Sequence, residues 1–376
     1  MFDSLRAPQV NALDTIQENP DGGILEMFCG SGKSFVMIKN VLNNDYQYSV
    51  FVFPSLALIQ QFTSDYLNKL VNHEYILSIS SRNEDTTDID EIKEFLNTDH
   101  KKYICVTYQS YNKFIQCAQE CQEPDIISFD EAHHIIGKDH SYVFECPKFY
   151  YTATPPKSHE DEIIYSYTHY DGAKDGILNE YEIMVDFAHD DNILRKISRS
   201  VLKTGNNRVL TFHSGVNGSG DTAVKQFVDE ARFKREFAHV LNTEFPSLKD
   251  RYQNIIFQGL FAESSNKDTI LKDFDNTSDD EIYILASCRT IGEGVDTKNG
   301  NMCVFVDTKS SVNQIIQNIG RVTRKQNKPS TILLPVSVDK DRYRECETEE
   351  EKDELIRNDL NQGGQYDMIL NVLSAL

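Results

Sequence analysis

Basic residues are scarce in this chain: 38 Lys and Arg face 59 Asp and Glu over 376 residues, a formal net charge of −21. A protein that grips nucleic acid through overall positive charge is excluded, while a local basic stripe stays compatible with the sequence. No hydrophobic run is long. The longest, Val50 to Ile59, is interrupted by Pro54 and Ser55, far short of the roughly 18 residues that span a bilayer. Residues 1–13 carry Asp3 and Arg6 and lack the apolar centre of a secretory signal. These absences predict an intracellular protein with no membrane segment. Also missing is any C-x-x-C pair among the eight cysteines, at positions 29, 105, 117, 121, 146, 288, 303 and 346, so neither a disulfide framework nor a zinc ribbon is signalled. Cys117 and Cys121 stand four apart with His133, His134 and His140 downstream. No second close ligand pair completes a metal site, and reduced thiols are the expectation.

What the chain does contain is ample core material: 39% hydrophobic residues, including 21 Phe and 18 Tyr. The length predicts two or three domains. Strand-like runs alternate with amphipathic stretches of helical length, the pattern of parallel sheets covered by helices, so the fold class is α/β. In the first half the strands are expected at Gly23–Phe28, Ser49–Phe53, Ile76–Ile79, Tyr103–Thr107, Ile126–Phe129 and Lys148–Thr152, with helices at Ser34–Leu42, Ser55–Leu70 and Asp90–Leu96. A second series of strands is expected at Glu182–Phe187, Arg208–His213, Asn254–Phe261, Glu281–Ala286, Met302–Asp307 and Thr331–Val336. Polar residues 155–161 and the glycine-bearing stretch 171–179 read as the connector. The expected organisation is a domain over 1–165, a second over 166–338, and an acidic helical tail over 339–376. Residues 339–359 hold ten acids against five bases, which suggests a solvated helix or tail. The apolar pattern from Tyr366 to Leu376 has no stop signal, so the natural polypeptide is expected to continue.

Two motifs carry the chemistry. Met27-Phe-Cys-Gly-Ser-Gly-Lys-Ser34 lies between an expected strand and an expected helix. There Gly30, Ser31 and Gly32 let backbone N–H groups surround a phosphate at the helix N-terminus. Lys33 would reach the β and γ phosphates of ATP, and Ser34 would hold Mg2+. Met27 stands where the full pattern has glycine. A hundred residues on, Ile126-Ile-Ser-Phe-Asp-Glu-Ala-His133 puts two carboxylates at the end of a strand, beside the phosphate loop in a parallel sheet. Asp130 would hold Mg2+ and Glu131 would orient and deprotonate the attacking water. An acidic helix cap accounts for one of these carboxylates and leaves the loop unexplained.

These motifs resemble the DEAD/DEAH-box helicases of superfamily 2, and the resemblance runs from about Leu5 to Pro335. It implies two tandem RecA-like domains. Leu5-Arg-Ala-Pro-Gln9 is similar to the Q motif, which makes Gln9 the adenine reader. Motifs Ia and Ib are matched around Pro54 and Ser55 and around Thr107 and Tyr108, and motif IV around His213 and Ser214, all implied nucleic-acid contacts with Ser287. His133, with Thr152 and Thr154 of a motif III-like stretch, is the implied link from hydrolysis to domain movement. Gly294 and Asp296 lie in a motif V-like stretch at the nucleotide. Gln317-Asn-Ile-Gly-Arg-Val-Thr-Arg324 is similar to motif VI. Arg321 and Arg324, three apart on a helix, share one face and would stabilise γ-phosphate charge from across a cleft, with Gln317 one turn earlier to position water. A basic helix surface for any anion is the plainer alternative. Residues 288–296 and the connector 176–181 look most like the restriction-enzyme, phage and viral branch.

Three departures weaken the grip on nucleic acid: Leu56 where DEAD-box proteins often have Arg, Cys288 in place of Thr with Ser287 as substitute, and the net charge. The expectation is therefore an ATP hydrolase that uses Mg2+ and acts on single-stranded or partly duplex nucleic acid, DNA ahead of RNA, through backbone contacts. A protein partner or a further C-terminal region would strengthen the complex. The other reading is an ATP-gated remodelling module whose main partner is a protein.

Overall fold

The computed structural model describes residues 5–81, 85–137, 143–186, 192–213, 227, 230–252, 254–260, 264, 266–287, 297, 299–306, 312–323, 328–337, 340–361, 369 and 372. The chain divides into two compact units, Met1–Gly172 and Ala173–Leu376. Each is a wholly parallel sheet with helices packed against it, the RecA-like arrangement.

In the first unit the strands are β1 (Gly22–Met27), β2 (Tyr48–Phe53), β3 (Ile76–Ile79), β4 (Lys102–Thr107), β5 (Ile126–Asp130), β6 (Lys148–Thr152) and β7 (Ile163–Tyr167). They lie in the order β3-β4-β2-β5-β6-β1-β7. β2, β4 and β5 are buried at every position, on both faces, and are accordingly mostly apolar rather than alternating. One side of the sheet packs Met27, Val36, Phe51, Phe53 and Phe62 together, and the other packs Ile104, Phe114, Phe129 and Tyr150. The Phe62 ring lies 4.8 Å from Phe51 and 5.0 Å from Phe53, fixing the helix Leu56–Phe62 over β2. That helix passes into a π-helical segment, Thr63–Leu67, where the sequence suggested one regular helix.

β7 is a strand that was not expected, lying between the two connector stretches 155–161 and 171–179. Its Ile-Ile-Tyr-Ser-Tyr run pairs with β1 in parallel, and the expected domain boundary at 165/166 falls inside it. The Tyr165 hydroxyl donates to the Pro8 carbonyl at 2.8 Å, fastening the helix Ala7–Glu18 to this edge of the sheet.

The second unit contains β8 (Tyr181–Asp186), β9 (Arg208–Phe212), β10 (Asn254–Leu260), β11 (Glu281–Ser287), β12 (Met302–Phe305) and β13 (Ser330–Ser337). Their order is β10-β11-β9-β12-β13-β8. Leu210, Leu285, Cys303, Ile315, Ile319 and Ile332 are central to one core, which also takes in Ile369 and Val372. The stretch read as a tail is therefore partly packed on this unit, while the helix Glu349–Asn361 presents an acidic first turn. Among the described residues, no helix is long and apolar enough to cross a membrane.

Candidate nucleotide site

The phosphate loop links β1 to the helix Lys33–Asn43. Gly32 caps that helix at φ +98, a left-handed conformation that favours glycine, and a Cβ built there would lie 2.1 Å from Gln9 Nε2. The loop is held from within and from beside it. Ser31 Oγ donates to the Phe28 carbonyl at 2.7 Å, and Gln9 Nε2 donates to the Ser31 carbonyl at 3.2 Å. Gln9 Oε1 in turn accepts from the Arg6 N–H at 3.0 Å. In this state the Gln9 amide braces the loop, so its bonds go to protein rather than to an adenine-facing position.

Lys33 is buried, and its Nζ lies 3.5 Å from Glu131 Oε1 and 3.3 Å from the Met27 carbonyl. Burial works against its charge, but the charges of Glu131, Cys29 and Asp130 raise its pKa above the ordinary value, so it stays protonated. Asp130 ends β5, 4% exposed. Burial, then the neighbouring Glu131 charge, pushes its carboxyl up to about 7 against the opposing pull of Lys33. One lysine thus faces two carboxylates, Asp130 buried and Glu131 half-buried. Asp130 Oδ1 is buried with no hydrogen-bond partner, an arrangement costly to maintain without a cation. This orphaned oxygen beside the loop fits Mg2+, with Asp130 and Ser34 as the residues that would hold it.

Glu131 takes a left-handed conformation at φ +48, one of two such non-glycine residues among those described. Backbone strain of this kind costs about 1–3 kcal/mol and clusters at functional sites. Here the strained turn aims the carboxylate at Lys33 and puts Oε2 3.6 Å from His133 Nδ1. His133 is neutral near pH 7: burial first, then His134 and Lys33, lower its pKa to about 4 despite the attraction of Glu131. Its Nδ1 shares a hydrogen bond with Thr152 Oγ1 at 3.1 Å, and that hydroxyl accepts from the Thr154 N–H at 3.1 Å. Lys33, Glu131, His133, Thr152 and Thr154 therefore form one continuous chain of contacts across the carboxyl ends of β1, β5 and β6.

The residues expected to touch nucleic acid take the following places. Ser55 caps its helix by accepting from the Leu58 N–H, and Thr107 Oγ1 accepts from the Ser110 N–H at 3.2 Å. Tyr108 donates its hydroxyl to the Asp130 carbonyl at 2.7 Å, which puts it beside the acidic pair. Pro54 follows β2 directly, at the carboxyl edge of the sheet. In the second unit, His213 and Ser287 are 0% and 1% exposed. His213 Nε2 shares a hydrogen bond with Thr211 Oγ1 at 2.9 Å, and its ring meets Phe227. Gln317 is buried in the last turn of the helix Val312–Gly320. Arg321 lies beyond that helix, in a turn where its N–H donates to the Asn318 carbonyl at 3.3 Å. The helix expected to carry Arg321 thus ends one residue before it. Ser214, Gly294, Asp296 and Arg324 lie outside the described residues.

His169 carried no signal in the sequence, standing just after the unrecognised β7. It is 8% exposed, its Nε2 has no hydrogen-bond partner, and its ring centroid is 5.2 Å from that of Phe28 at the foot of the phosphate loop.

Two family models match this chain: "Type III restriction enzyme, res subunit" over residues 3–157 and "Helicase conserved C-terminal domain" over 192–326. Proteins of African swine fever virus named probable helicases are similar. One from a South African tick isolate is 26% identical over 364 residues, covering 84% of this chain, and one from the Badajoz strain is 24% identical over 369. The chain spans 38% of the length of these curated relatives. Among solved structures, the ATP-dependent Type ISP restriction-modification enzyme LlaBIII bound to DNA aligns with 95% of this chain and 29% of its own, at TM-score 0.69 and 19% identity. A fragment of a type I restriction enzyme HsdR subunit from Vibrio vulnificus aligns with 89% of this chain and 68% of its own, at TM-score 0.53 and 17% identity.

Proposed function

Because this chain belongs to the superfamily 2 helicases, in their restriction-enzyme and viral branch, we propose that it hydrolyses ATP and couples hydrolysis to translocation along, or unwinding of, DNA. The observation that carries this reading is the buried Lys33–Glu131 pair beside an orphaned Asp130 oxygen, at the mouth of a left-handed glycine loop. The N–H groups around Gly30 to Ser34 bind the triphosphate, and Lys33 leaves Glu131 for the β and γ phosphates. Released from its ion pair, Glu131 accepts a proton from the attacking water. Neutral His133 relays the state of Glu131 to Thr152 and Thr154 through the 3.1 Å contacts. Asp130 and Ser34 would hold Mg2+, which would offset the charge developing on the phosphate oxygens. In this reading Arg321, with Arg324, stabilises the γ-phosphoryl charge in the ATP-bound state, and Gln317 helps to place the water.

Net charge favours a second reading. At −21 the chain has little long-range attraction for a polyanion, which suits a module that remodels a protein partner. An ATPase assay with single- and double-stranded DNA and RNA added in turn at low salt separates the two. Stimulation, strongest with DNA, is expected. Intact basal turnover with neither stimulation nor binding by any strand would overturn the translocation reading in favour of the protein partner.

A further inference from the structure

The stretch between the division at Gly172/Ala173 and β8 does more than connect. Gly176 turns the chain at φ +65 and Leu178 is buried. Next comes Asn179, whose hydrogen bonds reach both sides of a segment about 150 residues away. Its N–H donates to the Thr323 carbonyl at 2.6 Å, and its Nδ2 donates to the Lys328 carbonyl at 2.5 Å and to Ser330 Oγ at 3.1 Å. Ser330, fully buried, donates its hydroxyl to the Val322 carbonyl at 2.5 Å, while its own N–H donates to the Glu180 carbonyl.

Carbonyls on either side of residues 324–327 are thus held by Asn179 and its partner Ser330: that of Thr323 by the Asn179 N–H, that of Lys328 by Nδ2 and that of Val322 by the Ser330 hydroxyl, and residue 324 stands three beyond Arg321. An asparagine suits the task because its Nδ2 offers two donors on a short stem, matching the Lys328 carbonyl and Ser330 Oγ, and Ser330 in turn holds the Val322 carbonyl. Aspartate in its place would set an acceptor against an acceptor.

We propose that Asn179 is a positioning residue for the arginine turn: it holds the backbone around Arg321 in the geometry that the closed, ATP-bound state requires. The inference rests on the role given to Arg321 above. If it is right, a change at Asn179 alters the maximal rate rather than nucleotide affinity, because the phosphate loop belongs to the other unit.

The test compares the full chain with Asn179→Ala, Asn179→Asp, Arg321→Ala and the double variant Asn179→Ala with Arg321→Ala, following kcat and KM for ATP under saturating DNA. Misplacing a catalytic group by about 1 Å costs up to about a hundredfold. A fall in kcat of about ten- to a hundredfold is expected for Asn179→Ala, at least as large for Asn179→Asp, with KM within about twofold of wild type. The double variant should be no slower than Arg321→Ala alone, since the clamp acts through that arginine. If Arg321→Ala slows turnover and Asn179→Ala does not, or if the two losses multiply, the positioning role is overturned while the arginine reading stands. Wild-type turnover in Arg321→Ala overturns both. Should Asn179→Ala fail to fold, Ser330→Ala removes one acceptor of the same clamp and must show a smaller fall in kcat with the same non-additivity.

Discussion

The two sheets share one strand order and differ in what hangs from it. The order β3-β4-β2-β5-β6-β1 in the first unit is repeated strand for strand as β10-β11-β9-β12-β13-β8 in the second, and only β7 is additional. The segment after β1 carries glycines and Lys33. The equivalent segment after β8 reads Phe187-Ala-His-Asp-Asp191, with neither glycine nor a cation to receive phosphate. The connection from β5 to β6 carries Asp130, Glu131 and His133, and the matching connection from β12 to β13 carries Gln317 and Arg321. A repeated topology thus presents acids in one unit and an arginine in the other, from equivalent ledges. The units also hold these groups differently. The first uses the Lys33–Glu131 ion pair, with neutral His133 beside it, and the second uses backbone carbonyls drawn onto Asn179 and Ser330.

That asymmetry is broken most severely at Lys33. Lys33→Ala is expected to reduce ATP turnover by at least about 10³-fold, since no other cation of the loop faces the phosphates. Near-normal steady-state hydrolysis would show that the β1 ledge is no more a nucleotide site than the β8 ledge. Glu131→Gln keeps the shape of the corner and removes the base, so ATP binding should persist while turnover falls about 10²- to 10⁴-fold. Binding by a fluorescent ATP analogue, measured beside hydrolysis, distinguishes this from collapse of the site. Wild-type hydrolysis would remove Glu131 from the mechanism.

The acidic corner also makes a prediction about pH. Asp130, ordinarily near 3.8, is pushed up to about 7 in the ligand-free protein. Between these values the folded state holds a proton that the unfolded chain has released. Its stabilising contribution is therefore complete below about pH 4 and is lost as pH rises through about 7, with a slope of at most about 1.4 kcal/mol per pH unit. Asp130→Asn should flatten that segment of the stability curve in thermal unfolding without nucleotide or metal. Binding of Mg2+ must displace the same proton, so its affinity should rise across the same window. An unchanged pH profile in the variant would mean that the Asp130 charge is compensated already.

How much of this was legible in the sequence follows from what each signal depends on. Lys33, Asp130 and Glu131 were readable because phosphate and divalent-cation chemistry demand particular residue types at a strand end, whatever the packing around them. β7 was not recognised although Ile163, Ile164, Tyr165 and Tyr167 are strand-forming residues, because the run is only five residues long and flanked by polar segments. The end of the helix before Arg321 was missed for a related reason: Gly320 is a stop signal only when the following turn is held elsewhere, and the holding residue is Asn179, far away in sequence. His213 and Ser287 were placed by motif position alone, which says nothing about side-chain burial. The polar residues that support the site, Gln9 on the loop and Tyr108 on Asp130, have hydrogen bonds fixed by tertiary structure.

Tyr108 gives the smallest and finest test. Its hydroxyl donates to the Asp130 carbonyl, and burial followed by the charges of Asp130 and Glu131 raises its pKa well above the ordinary tyrosine value, so it remains a donor at any working pH. Tyr108→Phe removes one hydrogen bond and leaves the ring in place, a loss of about 1 kcal/mol in stability. The carboxylates themselves stay covalently where they were, so basal turnover should fall by less than about threefold, a change of about 0.6 kcal/mol. A nucleic-acid contact at this position predicts the opposite pattern: unchanged stability and basal rate, with stimulation by single strands weakened. Measuring melting temperature, basal rate and the DNA concentration for half-maximal stimulation on one preparation decides whether Tyr108 belongs to the acidic corner or to the strand-binding edge beside it.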